Sequence, residues 1–255
     1  MCHRLMVLLG VVLILVACQG EDRPAPTETP SNTPVPTEEE AASVELVPLT
    51  PGLKQRDGLT VLAHSEGVSG GTVYFFAEVR NDSGQYLSQI DALIYPLDAD
   101  NLKLGQVSAA PLMTDIPPSQ VFYVGAAFAA PEGYADTQRW LWYTPAEQPT
   151  LRGHFGLPVI IETRGVDENG LYVVSGTAQN DSGVDLYYPL VDVALIGPDD
   201  DLVGVTHAAV STEREGVWPA GTTAHFTALF RFLVGSPEQV TDARALAAGY
   251  EAPGG

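Results

Sequence analysis

The sequence predicts an all-β protein in which two tandem β-sandwich domains follow a signal peptide and a disordered linker. Three observations support this fold class. The segment Asn-Asp-Ser-Gly occurs twice, at residues 81–84 and 180–183. A run of alternating side chains precedes each copy, as in a strand with one face turned inward. The length of 255 residues favours two domains, and the body of the chain lacks long helical periodicity.

The two strand-like runs occupy equivalent places before the repeated segment. Their inward positions are Val73, Phe75, Ala77 and Val79 in the first copy, and Tyr172, Val174, Gly176 and Ala178 in the second. The Asn-Asp-Ser-Gly segment that follows supplies a turn, because Asn and Asp hydrogen-bond their own backbone and Gly tolerates positive φ. The sequence therefore predicts the same strand and turn in both halves of the chain.

Further matches extend the repeat in both directions. Residues 90–94 match 191–195, and the turn at 117–120 matches the turn at 219–222. Each unit of about 100 residues contains six or seven short strands, which is typical of an immunoglobulin-like sandwich. We expect the first domain at residues 53–150 and the second at 151–255. The stretch 240–248 is the only one whose periodicity is ambiguous.

The N-terminus has the features of an export signal. A basic start at residues 1–4 precedes the uncharged apolar run 5–16, which is shorter than the roughly 20 residues of a membrane-spanning helix. We expect a signal peptide at residues 1–17. The residues Leu15-Val16-Ala17-Cys18 resemble the lipobox of bacterial lipoproteins. That resemblance implies a lipid on Cys18 and an extracytoplasmic, membrane-anchored protein; the alternative is an ordinary signal peptide that is cleaved nearby.

Residues 18–52 have the composition of a flexible linker. Seven prolines lie among Thr, Ser and Glu, and little apolar surface is available for burial. Such a segment is a polar spacer that separates a folded part from its anchor. We expect it to be a tether without a binding role.

The order of strands and turns resembles the FxLYD family of bacterial immunoglobulin-like domains. Asn81 and Asn180 match the Asn that ends an early strand in that family, and residues 219–221 match its later Pro-Gly turn. The namesake triplet is altered here, since Leu93-Ile94-Tyr95 is followed by Pro96. The resemblance implies extracytoplasmic modules without known catalytic residues.

Composition argues against several classes of function. Twelve Lys and Arg against 32 Asp and Glu give a net charge of −20, which disfavours nucleic-acid binding. Both cysteines lie in the first eighteen residues, and no two histidines in the body have metal-ligand spacing. No phosphate-binding loop or nucleophile elbow is present. We expect no enzymatic activity, no cofactor and no metal site.

Two acidic turns are candidate calcium sites. They contain Asp98, Asp100 and Asn101 in the first half, and Asp199, Asp200 and Asp201 in the second. Carboxylate and amide oxygens suit calcium, but these residue types are equally typical of solvated hairpin turns. We favour the turn.

Aromatic residues supply a second candidate surface. Trp140 and Trp142 alternate with Leu141 and Tyr143, so the two tryptophans share one face of a strand. They would stack on sugar rings or anchor a protein if exposed, and would fill a core or a domain contact if buried. Tyr187 and Tyr188 follow the second turn and are candidates for a contact patch with the same alternatives.

These observations favour a non-enzymatic, lipid-anchored cell-envelope protein that presents two β-sandwich modules for protein interaction or acts as a spacer. Its partners would be the membrane, through the anchor, and another envelope protein. The alternative is a lipoprotein that binds glycans or calcium through Trp140 and Trp142 or through the acidic turns.

Overall fold

The computed structural model describes residues 49–251, which belong to one compact unit. This part of the chain is all-β, as the sequence predicts, and a single 3₁₀ turn covers Pro237–Gln239. The strands are β1 Gly52–Gln55, β2 Leu59–Ser69, β3 Thr72–Asn81, β4 Tyr86–Leu97, β5 Val107–Ala109, β6 Val121–Ala129, β7 Asp136–Ala146, β8 Gly153–Leu157, β9 Val159–Val166, β10 Tyr172–Gln179, β11 Leu186–Ile196, β12 Leu202–Ser211, β13 Val217–Trp218, β14 Thr223–Phe230 and β15 Asp242–Glu251. Between residues 49 and 251, no helix is long and apolar enough to cross a membrane.

The first sandwich consists of two sheets. Layer A has the strand order β1-β7-β4-β5, and layer B has the order β2-β3-β6. All neighbouring strands are antiparallel except β1, which pairs with β7 in parallel. The core lies between the layers and is built from Phe75, Val79, Ile94, Phe122 and Leu141, among others.

The second sandwich repeats this plan. Layer C has the order β8-β15-β11-β12, with β13 on the end of β11, and layer D has the order β9-β10-β14. Strand β12 joins the two layers, because its last residues, Val210 and Ser211, pair with β14. The core between layers C and D contains Val174, Val193, Leu195, Trp218 and Phe226.

Side-chain alternation determines which face of each strand is buried. Val73, Phe75, Ala77 and Val79 of β3 are fully buried, as their spacing predicts. Phe76 lies on the opposite face of β3 and is nevertheless only 3% exposed. A second layer of protein must therefore cover the outer face of layer B.

That cover is the second sandwich, since the outer faces of layers B and C pack against each other. The apolar contact is formed by Tyr74, Phe76 and Tyr123 of layer B with Ala194, Ile196, Leu202, Leu246 and Phe232 of the second sandwich. The ring of Phe232 lies 5.9 Å from that of Tyr74 and 6.2 Å from that of Phe76. The layers are thus stacked in the order A, B, C, D.

Polar groups bridge the contact between layers B and C. Arg244 Nη1 lies 3.2 Å from Glu78 Oε2, and the Leu202 N–H donates to Ser65 Oγ over 3.0 Å. The Thr114 N–H donates to the Tyr250 hydroxyl, which in turn donates to the Thr114 carbonyl. These bonds fix the orientation of the two sandwiches because their geometry is directional.

Both copies of the repeated turn are organised by a buried asparagine. Asn81 Nδ2 donates to the carbonyls of Gln85 and Ile116, and its Oδ1 accepts from the N–H and the hydroxyl of Ser83. Asn180 makes the equivalent four bonds, to Val184, Trp218 and Ser182. Each asparagine is 0% exposed and fully hydrogen-bonded, so the repeat is preserved in atomic detail.

The structure can be compared with three expectations from the sequence: the ambiguous stretch, the number of strands and the N-terminal segments. The ambiguous stretch 240–248 lies mostly in strand β15. Strands β1–β7 span residues 52–146 and strands β8–β15 span 153–251, so the second unit has one strand more than the six or seven expected. The predicted signal peptide, Cys18 and most of the linker lie outside the described residues.

Substituting either buried asparagine should destabilise the protein. Asn81→Ala or Asn180→Ala removes four hydrogen bonds, among them the buried bond to the carbonyl of Ile116 or Trp218, so we expect a loss of about 2–4 kcal/mol in unfolding free energy. Urea denaturation of the purified variants measures this loss. The exposed turn residue Asn169 is the matched control, and Asn169→Ala should cost less than about 0.5 kcal/mol. Equal effects of the three substitutions would contradict the assigned role.

The contact between layers B and C should make stability depend on pH. Burial raises the pKa of Asp192, on the outer face of layer C, to about 7. Asp192, Glu78 and Arg244 all act electrostatically on Tyr123 of layer B, and the cross-strand neighbour of Asp192 is His207. Because the folded-state pKa is raised, the stabilisation that protonated Asp192 provides is complete below about pH 4 and is lost as the pH rises through 7.

Asp192→Asn removes this titration without changing the shape of the side chain. We therefore expect the difference in melting temperature, variant minus unmodified protein, to increase as the pH is raised from 4 to 8. Burial lowers the pKa of His207, so its contribution changes in the opposite direction, and it is present in both proteins. A constant difference in melting temperature across this pH range would show that Asp192 is not the titrating group.

Candidate functional site

Trp140 and Trp142 lie on the outer face of layer A. The same strand turns Leu141 and Tyr143 into the core, where they are 1% and 6% exposed. Trp140 is 47% exposed, and Trp142 is half-buried. The tryptophans therefore belong neither to a core nor to the contact between the sandwiches, which is formed by the aromatic residues of layer B.

We define the aromatic face by the outward side chains of Lys54, Arg56, Leu93, Tyr95, Trp140 and Trp142. A shallow hollow of about 560 Å³ in this face is lined by Arg56, Leu93, Trp140 and Trp142. Aromatic rings combine a large apolar surface with polar edges, and they dominate the energetics of many binding sites. This hollow, which is lined mainly by apolar side chains, is the candidate functional site.

Sheet register brings these side chains together. Strand β7 lies between β1 and β4, so Trp140 has Lys54 on one side and Leu93 on the other. Arg56 follows the end of β1 on the same face as Lys54, next to Trp142. Asp91 lies opposite Trp142 and is held by Gln89 and Ser108, whose side chains donate to its carboxylate.

The cations of the aromatic face differ from most others in this chain. Five arginines elsewhere, Arg80, Arg139, Arg152, Arg164 and Arg244, form ion pairs with carboxylates. Between residues 49 and 251, the cations without such a partner are Lys54, Arg56, Lys103, Arg214 and Arg231. Lys103 lies 4.3 Å from the centre of the Tyr95 ring, and Arg56 lies 4.6 Å from that of Tyr143 and donates to its carbonyl. Three cations thus accumulate on one sheet face of an acidic protein, two of them the only lysines of the sequence.

The two candidate tyrosines lie elsewhere and do not share a surface with the tryptophans. Tyr188 occupies a bulge at the start of β11 with φ of 50° and is 75% exposed. Tyr187 is half-buried and is the register partner of Tyr250. Tyr188 lines a separate groove with Pro189 and Gly216. The tryptophans and the tyrosines, which are separate candidates, therefore lie at two separate places in the fold.

The two acidic turns use their carboxylate oxygens in different ways. Asp98 Oδ1 accepts hydrogen bonds from the N–H groups of Asp100 and Leu102, and Asn101 adopts φ of 62°. In the second turn, Asp200 pairs with Arg244 over 2.6 Å. In the region 49–251, no group of three or more His, Cys, Asp or Glu is arranged to hold a metal ion. In the second turn, Asp201 Oδ1 is buried and has no hydrogen-bond partner within the described residues.

A cleft beside the contact between layers B and C offers no catalytic arrangement. It has a volume of about 510 Å³ and is lined by Phe76, Gly125, Val205, His207, Arg231 and Phe232, among others. Within this lining, His207 and Arg231 are the titratable side chains. A lone histidine beside an arginine lacks the second acid–base group that general acid–base or nucleophilic catalysis requires.

Sequence reasoning missed Lys54, Arg56 and Leu93. Strand β1 pairs in parallel with β7, which lies some ninety residues later, and no local pattern indicates that pairing. The one usable signal was the rarity of lysine, which marks Lys54 and Lys103 as unusual in this composition.

The fold places this chain among the all-β proteins built from β-sandwich-like domains. No family model matches it, and no curated protein matches it. The crystal structure of red sea bream transglutaminase is similar over 76% of this chain at 13% sequence identity, with a TM-score of 0.21. The match covers 29% of that transglutaminase chain, so this protein spans less than a third of its length. Likeness at this level carries no information about function.

Outer and inner residues of β7 should respond differently to truncation. Trp140→Ala removes a half-exposed side chain, and we expect it to cost less than about 1.5 kcal/mol of stability. Leu141→Ala opens a cavity in the core and should cost about 2–5 kcal/mol. Thermal and urea unfolding of both variants measure the difference. A loss for Trp140→Ala as large as that for Leu141→Ala would indicate that the tryptophan is buried.

Proposed function

We propose that this chain is a non-enzymatic, lipid-anchored protein of the cell envelope that presents its two packed sandwiches, and above all the aromatic face, to a protein partner. The observation that carries the proposal is the aromatic face itself. Tryptophan and arginine are side-chain types that are enriched in protein interfaces and their hot spots. The described part of the chain leaves Trp140 47% exposed.

The packing of the sandwiches supports a role in presentation. A contact with an apolar centre and directional polar bonds gives the aromatic face a defined position relative to the rest of the protein. Rigid presentation lowers the entropy that binding must overcome. The resemblance of Cys18 to a lipidation site, and of the repeat to the FxLYD family, supports an extracytoplasmic setting.

The anchor is tested by Cys18→Ser. Thioether attachment needs the cysteine sulfur, so we expect the variant to lose incorporation of labelled palmitate and to move from the membrane to the soluble fraction. Cys2→Ser is the matched control, because Cys2 lies within the predicted signal peptide and should leave both readouts unchanged. Unchanged labelling and membrane retention of Cys18→Ser would overturn the anchor.

The partner is tested by cross-linking the full chain in intact cells of its own host. A stoichiometric envelope protein that is captured by the unmodified chain, and lost from Trp140→Ala/Trp142→Ala, would support the proposal. Tyr188→Ala is the control for loss of an exposed aromatic side chain at another place. Turnover of an envelope substrate by the purified chain would contradict the non-enzymatic assignment.

Glycan binding is a second candidate for the same face. Two tryptophans at positions i and i+2 of one strand lie about 7 Å apart, a spacing that suits stacking on neighbouring sugar rings. Lys54, Arg56 and Asp91 would provide hydrogen-bonding groups at the rim. Oligosaccharide titration followed by tryptophan fluorescence tests this candidate. The third tryptophan, Trp218, is 0% exposed and contributes a constant background, so a shift must come from the aromatic face.

A further inference from the structure

The edge strands of this protein differ in how well they are protected against pairing with another chain. An edge strand carries a row of N–H and C=O groups without partners, and proteins normally protect it by short length, charged residues, proline or a bulge. The edge strands β1, β5 and β8 are three to five residues long. The longer edge strands β2 and β9 each have a bulge and an acidic residue, Glu66 or Glu162.

Within residues 49–251, β6 is the long edge strand that has none of these protections. It pairs with β3 on one side and is the last strand of layer B on the other. Its nine residues, Val121–Ala129, include no charged residue and no proline, and its register with β3 has no shift. Gly125, Ala127 and Ala129 are exposed and small, so no bulky side chain shields their backbone. This edge is open to an added strand.

Hydrogen bonding determines which backbone groups of β6 face outward. The Ala130 N–H donates to the Gly71 carbonyl, one step beyond the last paired residues of β6 and β3. Opposite residues of an antiparallel pair exchange hydrogen bonds at every second position, so the even-numbered residues of β6 bond to β3. The N–H and C=O groups of Gly125 and Ala127 therefore point away from β3, toward the open edge.

The repeat places an equivalent strand edge at the same cleft. Thr227 and Leu229 of β14 correspond to Gly125 and Ala127, by the match of the turns that precede the two strands, and all four residues line the cleft of about 510 Å³. Strand β12 pairs with β14 at two residues only. Thr206 of β12 nevertheless donates its hydroxyl to the Leu229 carbonyl over 3.3 Å. The edge of β14 is thus partly satisfied within the chain, whereas the edge of β6 is not.

We propose that an extended acidic segment of another protein adds to layer B as a strand beside β6. Its main chain bonds to the outward groups of Gly125 and Ala127, and its side chains on one face enter the cleft. In this type of recognition, main-chain bonds supply affinity and the side chains beside the edge select the sequence. The site is separate from the aromatic face, so it is a second binding surface that does not depend on the proposed function.

Arg231 indicates the chemistry of the added segment. Opposite residues of neighbouring strands place their side chains on the same face, so the residues beside Gly125 and Ala127 turn their side chains into the cleft. Arg231 lines this cleft, is exposed and forms no ion pair within residues 49–251, and no Asp or Glu is part of the lining. An Asp or Glu of the added strand would pair with it. A second copy that offered its own β6 would bring no acidic residue, since β6 has none.

Photo-cross-linking of the full chain in cells of its host identifies the added segment. Thr227 is replaced by p-benzoylphenylalanine, because it lines the cleft without belonging to β6. We expect a product with a different protein whose joined peptide contains Asp or Glu. Ala127→Pro removes an outward N–H without removing a bond to β3, so it should abolish the product. Trp140→Ala/Trp142→Ala should leave the product unchanged, because the aromatic face is a separate surface.

A synthetic peptide with the joined sequence tests the mode of binding on the purified full chain. It should slow hydrogen exchange in residues 121–129, and Arg231→Ala should weaken its binding about tenfold. Arg214→Ala is the matched control, because Arg214 is exposed, lies outside the cleft lining and forms no ion pair within residues 49–251. The same peptide with alternate amide nitrogens methylated lacks the main-chain donors and should not bind the unmodified chain. This last comparison needs no variant that must fold.

Four results would overturn the inference. No product from a folded photo-reactive chain would mean that the cleft binds no protein segment. A product between two copies alone would replace the other protein by a second copy. A peptide that binds without protecting residues 121–129 would mean that no strand is added to β6, and equal binding to Arg231→Ala would remove the acidic contact. None of these results bears on the aromatic face, so the proposed function would stand or fall separately.

Discussion

The buried asparagine of each repeat is the constraint on which the rest of each sandwich depends. Asn81 and Asn180 each connect three segments: the end of the preceding strand, the turn that follows, and the distant segment at Ile116 or Trp218. That connection sets where the central strand, β4 or β11, enters its sheet. A buried amide must have all its hydrogen bonds satisfied, so the turn accepts one conformation and fixes the register of the strand after it.

The register that the asparagine fixes also decides which side chains of each unit face the core and which face outward. Once register is fixed, alternation decides that Val73 and Phe75 are inward and that Tyr74 and Phe76 are outward. In layer B the outward residues are aromatic and are covered by the second sandwich. In layer C the covered face contains Asp192, whose raised pKa reflects the cost of removing a carboxylate from water. The interface between layers B and C therefore combines an apolar centre with a carboxylate whose ionisation near neutral pH destabilises the folded state.

Much of the fold could be predicted from the sequence, because its signals are local. The duplicated Asn-Asp-Ser-Gly segment and the period-two runs before it identify the strands and turns of both units. Pairing over long distances has no local signal. The parallel contact of β1 with β7 and the burial of Phe76 by another domain both depend on residues far away in the chain. For the same reason, the local alternation of β7 identifies Trp140 as a candidate site residue. Lys54 and Arg56 come beside it only through the pairing of β1 with β7, which no local pattern indicates.

The contact between layers B and C depends on residues that the second unit does not repeat. Layer B offers Glu78 to Arg244 and Ser65 to the Leu202 backbone, whereas layer D has Thr177 at the position of Glu78. The aromatic pair Tyr74 and Phe76 of β3 is likewise replaced by Val173 and Ser175 of β10. The contact also joins parts of one chain, so it forms without loss of translational freedom. The packing of the two sandwiches is therefore a property of particular side chains on β3 and not of the repeated fold alone.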